Sequence, residues 1–162
     1  MAFFLRPVRA RRGMTENLRT IRAELLQQHA DVRATMKVVE QAALACRQGQ
    51  SDASHLAIAV AQLAAALRAH NAREEHLLRD LLPTIDAWGP GRAETMSDAH
   101  TREHEEVVQG LLATMAAPDA RAAASAALEH LARIETHMAR EEKDFLGAEV
   151  LSDEYELDPF GG

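Results

Sequence analysis

The signature His-x-Ala-Arg-Glu-Glu occurs twice in this chain, as His70-Asn71-Ala72-Arg73-Glu74-Glu75 and as His137-Met138-Ala139-Arg140-Glu141-Glu142. Both copies lie in stretches rich in alanine, leucine, glutamate and arginine, a composition that favours helix. In a helix, an imidazole and a carboxylate four residues apart leave the same face, about one turn from each other. A chain with such pairs on the apolar side of its helices is tightly constrained. It has to fold so that the polar groups meet partners, because burying them alone is costly.

Prolines and most glycines fall between long periodic segments, which predict four helices at 15–48, 52–81, 93–116 and 119–150. Thr15 and Ser51 or Asp52 are expected N-caps, and Gly49 a C-terminal stop. Pro83 ends the second helix, since a residue before proline avoids helical geometry. The segment 83–91, Pro-Thr-Ile-Asp-Ala-Trp-Gly-Pro-Gly, reads as a loop, and Pro118 and Asp119 open the fourth helix. Long helices with short connections predict an all-α fold, an up-down-up-down four-helix bundle over 15–150. One histidine and then a His-x-x-x-Glu, followed by a histidine pair and a second His-x-x-x-Glu, raises the idea of two helical hairpins related by a pseudo-two-fold.

The ends differ in charge. Residues 1–14 form a basic arm with Arg6, Arg9, Arg11 and Arg12, and residues 151–162 an acidic tail, preceded by Glu149 and carrying Asp153, Glu154, Glu156 and Asp158. Both are expected to be solvated and poorly ordered. The sharper alternative is that they pair within or between chains, which would make an oligomer. A net charge of −7 argues against nucleic acid as the main partner. The apolar runs are too short for a membrane span, and three apolar residues ahead of the arginines do not make a secretory signal. The 162 residues suit one domain with its own core. The single cysteine, Cys46, cannot form an internal disulfide and is expected as a small buried apolar residue. A soluble cytoplasmic protein is the expectation.

Periodicity tests whether the candidate ligands face inward. At about 100° per residue, the first helix aligns Leu18, Ile21, Leu25, Val32, Met36 and Val39, with His29 inside that stripe. In the second, His70 and Glu74 fall among Leu63, Leu67, Leu77 and Leu81, while Glu75 points away with Arg68 and Arg79. In the third, His100 and His104 continue the line of Val107, Val108, Leu111 and Met115. In the fourth, Leu131, Ile134, Met138 and Phe145 set the stripe. Glu141 lies nearer its centre than Glu142, and His137 lies toward one edge. Five histidines and two glutamates brought into one core point to a metal site. His55 and His76 are expected at the surface, and His130, two turns before His137, in a polar core role or supporting a ligand.

Spacing excludes other chemistries. No histidine has a glutamate three residues before it, as ferritin-like di-iron bundles require. There is no His-Glu-x-x-His, no Cys-x-x-Cys and no glycine-rich phosphate loop.

The ordered set His29, His70-x-x-x-Glu74, His100-x-x-x-His104, His137-x-x-x-Glu141 resembles the hemerythrin-like family, the HHE cation-binding domains, over roughly residues 18–147. The resemblance implies a four-helix bundle around two iron ions with an oxo or hydroxo bridge. It implies that His100, His104 and His137 bind one iron, that His29 and His70 bind the other, and that Glu74 and Glu141 bridge both. One iron would then have six ligands and the other five, leaving a position for dioxygen, peroxide, azide or nitric oxide. In the animal oxygen carriers the last carboxylate stands five residues after its histidine. That place is Glu142 here, so the choice of second bridge between Glu141 and Glu142 stays open at this point. Aromatics are few, with Trp88 in the predicted loop and Tyr155 in the tail, so Leu25, Leu67, Val108 and Ile134 are expected to line the pocket. The function implied is binding, storage or sensing of dioxygen or a related small ligand. The alternatives are an enzyme acting on peroxide or nitric oxide, and repair of iron centres or iron handling under stress.

Overall fold

The computed structural model describes residues 9–81, 90–144 and 146, with side chains from 19–77, 98–143 and at 146. Residues 1–8, most of the predicted loop with Trp88, and the acidic tail with Tyr155 lie outside the described residues. Four helices make up the described chain: α1 (Arg9–Arg47), α2 (Ala53–Leu81), α3 (Pro90–Ala113) and α4 (Ala120–Asp144).

Local chemistry accounts for the helix ends. Gly49 takes a φ of 69° and closes α1, its N–H donating to Cys46 O (3.1 Å) while Gln50 N–H donates to Ala45 O (2.9 Å). That pair of bonds satisfies carbonyls the helix leaves open, and only glycine reaches this φ without strain. Asp52 caps α2 by accepting from Ser54 N–H (2.9 Å), and Asp119 caps α4 by accepting from Ala122 N–H (2.8 Å).

Four boundaries differ from the sequence expectation. α1 begins at Arg9 rather than at a Thr15 cap, because the arginine-rich run has good helix propensity and only Gly13 weakens it. α3 begins at Pro90, inside the predicted loop, since proline is well tolerated at the first helical position. α3 also gives way at Thr114–Ala116 to a tighter 3-10 turn. There Thr114 Oγ1 bonds Leu111 O (2.7 Å), and Ala117 is extended ahead of Pro118. α4 ends at Asp144 rather than near 150, where Leu146 N–H closes back onto Glu141 O (3.1 Å).

Cross-helix bonds give the topology. From α1 to α4, Arg33 meets Glu135 and Cys46 meets Ala120 O, so partner numbers fall as α1 advances. α1 and α2 run opposite in the same way, with Gln28 on His70 and Glu24 on Arg73. So do α3 and α4, with Glu103 beside His137 and Val107 O on His130. The helices therefore alternate in direction, up-down-up-down.

Apolar residues form two clusters of unequal size. The large one packs Val32, Met36, Val39, Leu56, Leu63 and Ile134 with alanines that let the helices approach closely. The small one joins Leu25, Leu77 and Leu146. On α1, α2 and α4 the polar residues singled out by the sequence fall between these clusters, so the candidate site is a polar layer with apolar packing on both sides. Cys46 is buried, as expected. Among the described residues, no helix is long and apolar enough to cross a membrane.

Candidate metal centre

α1 delivers His29 to the polar layer, α2 His70 and Glu74, α3 His100 and His104, and α4 His137 and Glu141. All seven are buried. His137, placed at the stripe edge by periodicity, is drawn fully into the cluster: its Nε2 lies 2.6 Å from Glu141 Oε1. Two four-residue groups have ligand atoms mutually within 4.8 Å, His100/His104/His137/Glu141 and His29/His70/Glu74/Glu141.

The carboxylates join the groups. Glu141 Oε2 stands 3.3 Å from His29 Nε2, while its Oε1 lies 3.3 Å from His100 Nε2 and 3.2 Å from His104 Nε2. Glu74 Oε2 is 3.6 Å from His70 Nε2, 3.2 Å from His100 Nε2 and 3.4 Å from His104 Nε2. Each glutamate thus touches both histidine groups.

Several of these atoms converge without pairing. His29 Nε2, His70 Nε2, both ring nitrogens of His137, Glu74 Oε1 and Glu141 Oε2 are buried with no hydrogen-bond partner. His29 Nε2 and Glu141 Oε2 are close, but they do not meet in hydrogen-bonding geometry. Native interiors rarely tolerate such groups, each costing about 1–3 kcal/mol. Imidazole nitrogens and carboxylate oxygens aimed at shared points form a donor set that fits a metal cation, and the buried His/Glu clusters fit a metal site.

Outer partners orient the rings. His104 Nδ1 hydrogen-bonds Glu75 Oε1 (3.0 Å), His29 Nδ1 bonds Glu142 Oε1 (2.9 Å), and His70 Nδ1 bonds Gln28 Oε1 (3.1 Å). His137 Nδ1 lies 3.3 Å from Glu103 Oε1, which also pairs with Arg140. The three hydrogen bonds hold the His104, His29 and His70 rings so that Nε2 is presented inward, whereas His137 Nδ1 is only near Glu103 without hydrogen-bonding geometry. Glu142 is further held by Arg33 Nη1 (2.7 Å), and Gln28 by Glu24 (3.1 Å), which binds Arg73 (2.6 Å).

Sequence reading missed these supports, and it misplaced Glu75. At 22 % side-chain exposure Glu75 is turned to His104 rather than to solvent. The missed signal was the doubled glutamate itself, since in both motifs the first reaches the cluster and the second holds a histidine of another helix. His130 stays outside the cluster, bonding Val107 O (2.7 Å). His55 and His76 are exposed, as expected. Leu25, Leu67, Val108 and Ile134 are all buried.

Charge follows from geometry. Burial disfavours the charged form of a group, and neighbours of opposite charge oppose it. At His104 burial is outweighed by Glu141, Glu74 and Glu75, which push the pKa up to about 10. His29 is also raised: burial opposes this, but Glu141 and Glu142 prevail. At His70 burial wins and pulls the pKa down to about 4. Burial would raise Glu74, yet His100 and His104 bring it down to about 2. Glu141 is held well below the carboxylate range, with His104, His137 and His29 overriding burial.

A groove of about 410 Å³ between α3 and α4, lined by Glu103, Glu106, His130, Arg133 and Arg140 among others, opens toward His137. The family model for the hemerythrin HHE cation binding domain matches residues 20–148. No curated protein and no solved structure matches the chain.

Proposed function

The chain belongs to the hemerythrin HHE cation-binding family, and from that premise we propose that it holds two iron ions and binds dioxygen or a related small ligand at one of them. His100, His104 and His137 would hold one ion and His29 and His70 the other, with Glu74 and Glu141 shared. The observation that carries this reading is Glu141, whose two oxygens face different histidine groups. A single carboxylate turned both ways supports a pair of cations rather than one. When bound, an iron pair supplies reversible electron exchange with a small ligand.

The chain's own residues supply the rest. Glu75, Glu142 and Gln28 fix ring orientation through Nδ1 and leave Nε2 for the cation. The apolar clusters on both sides of the polar layer keep bulk water away. His104, raised to about 10, gives up a proton when a cation arrives.

A second reading is an enzyme acting on peroxide or nitric oxide, or serving iron-centre repair. The open groove beside His137 favours it, because reduction of either substrate consumes protons and solvent comes close to that ring. One experiment separates the two. Protein loaded with ferrous iron without oxygen is exposed to oxygen and then purged, and its visible absorption is followed. A charge-transfer band that forms and reverses supports ligand binding. Irreversible oxidation with turnover of added peroxide supports the enzyme, and absence of iron uptake sinks both.

A further inference from the structure

The repeated motifs share a histidine, an arginine and two glutamates. The histidine and the first glutamate reach the cluster, and the second glutamate holds a histidine of the other half, Glu75 on His104 and Glu142 on His29. The pseudo-two-fold raised by the repeated motifs is present in these side-chain contacts. The arginines, Arg73 and Arg140, are left over. Both are exposed, and an exposed ion pair contributes little to stability. Their recurrence three places after a cluster histidine needs another cause.

In the first half the arginine closes a ring of contacts across α1 and α2. Arg73 grips Glu24 twice, Nε donating to Oε1 (2.6 Å) and Nη2 to Oε2 (2.9 Å). Glu24 Oε1 also accepts from Gln28 Nε2 (3.1 Å), and Gln28 Oε1 faces His70 Nδ1 (3.1 Å). Each link sets the next. An ionised carboxylate only accepts, so Glu24 draws the amide nitrogen of Gln28 toward itself and turns the amide oxygen to His70. That oxygen also only accepts, so the ring proton sits on Nδ1 and Nε2 keeps its lone pair for a cation. A flipped amide would offer an N–H to Nδ1 and drive the proton onto Nε2. In the second half the relay is one link shorter. Counted from His29 and His104, the place of Glu24 falls on Ala99 and that of Gln28 on Glu103. Arg140 pairs directly with Glu103, whose Oε1 lies 3.3 Å from His137 Nδ1.

We propose that the arginine of each motif is a positioning residue for the histidine three places before it, acting through the neighbouring helix to keep that ring's proton on Nδ1. Arg73 does so for His70 through Glu24 and Gln28, and Arg140 for His137 through Glu103. The two relays end in different histidine groups, so each arginine serves one ion. The effect on metal rests on the metal reading above, while the place of the ring proton does not.

The test has two readouts on the full chain. Ring-nitrogen NMR of the metal-free protein at neutral pH shows which nitrogen carries the proton, and competition with a chelator measures the affinity for each of two cobalt(II) ions. Wild-type His70 is expected to carry its proton on Nδ1 alone. Arg73→Met and Glu24→Ala are each expected to give a mixture of the two ring forms at His70 and to weaken one cobalt ion about tenfold. Adding Gln28→Glu to Glu24→Ala copies the Ala99 and Glu103 arrangement and is expected to restore both readouts. Arg140→Met is expected to weaken the other ion and leave His70 unchanged. If Arg73→Met or Glu24→Ala fails to fold by circular dichroism, the other decides. A wild-type His70 with its proton on Nε2 overturns the assignment. So does a folded Arg73→Met or Glu24→Ala that keeps the wild-type ring form or cobalt affinity, a folded double variant without recovery, or a change at His70 in Arg140→Met. Wild-type protein that takes up no cobalt instead removes the metal reading, and the ring spectra of the metal-free chain still decide the relay.

Discussion

Glu141 and Glu142 are neighbours with different surroundings. Glu141 is buried between both histidine groups, while Glu142, 30 % exposed, accepts from His29 Nδ1 and is gripped by Arg33. Glu141→Ala is expected to abolish uptake of the second metal ion. Glu142→Ala is expected to keep two ions at about 10–100-fold weaker affinity, with metal analysis and calorimetry as the measure. A second expectation concerns pH. The folded pKa of His104, about 10, lies above the usual 6.5, so its contribution to the metal-free fold is full below 6.5 and lost as pH rises through about 10. Metal binding needs that ring neutral, so uptake near neutral pH should release a proton, and apparent affinity should rise with pH. Calorimetry in buffers of different ionisation enthalpy counts the proton. His70 acts in the opposite sense: with a folded pKa of about 4, below 6.5, it lowers the stability of the metal-free chain as pH falls between those values. His29, His70, Glu74, His100 and His104 were legible in the sequence because helical period fixes direction, whereas His137 lay at a stripe edge and Glu141 stayed open against Glu142 until the helices were packed. Glu75 was not legible, because its long side chain reaches across to another helix, and a stripe drawn on one helix cannot show that.

At the scale of elements, caps and close approaches set where the helices start, stop and touch. Gly49 and Asp52 were legible as punctuation because their chemistry is local. The starts at Arg9 and Pro90 were not, since a missing cap or a proline does not forbid a first turn. Asp119→Ala removes the side-chain bond to Ala122 N–H and should cost about 1 kcal/mol in denaturant unfolding. Gly110 lies against the His130 ring, which occupies the space a Cβ would take, and that ring is pinned by Val107 O. Gly110→Ala should cost about 1–3 kcal/mol through overpacking. Gly110→Ala combined with His130→Ala should recover part of that loss if the clash is the cause.

At the scale of the whole molecule, alternating helix directions bring motifs far apart in sequence into one layer between two apolar clusters. The bundle was legible from four periodic segments, but the mutual exchange of second glutamates between its halves required the packed helices. Because the unpaired atoms of that layer lie in three helices, α1, α2 and α4, a cation there should stabilise the fold as a unit. Saturation at about 100 times Kd would add about 2.7 kcal/mol per independent site, read as a rise in Tm that a chelator reverses. The central claim, that these seven side chains hold a metal pair, is tested most directly by the number of ferrous ions bound per chain under anaerobic conditions. Two ions in the wild-type protein, with the second lost in Glu141→Ala, is the predicted result. One or none in the folded wild-type protein, or two retained in Glu141→Ala, would contradict it.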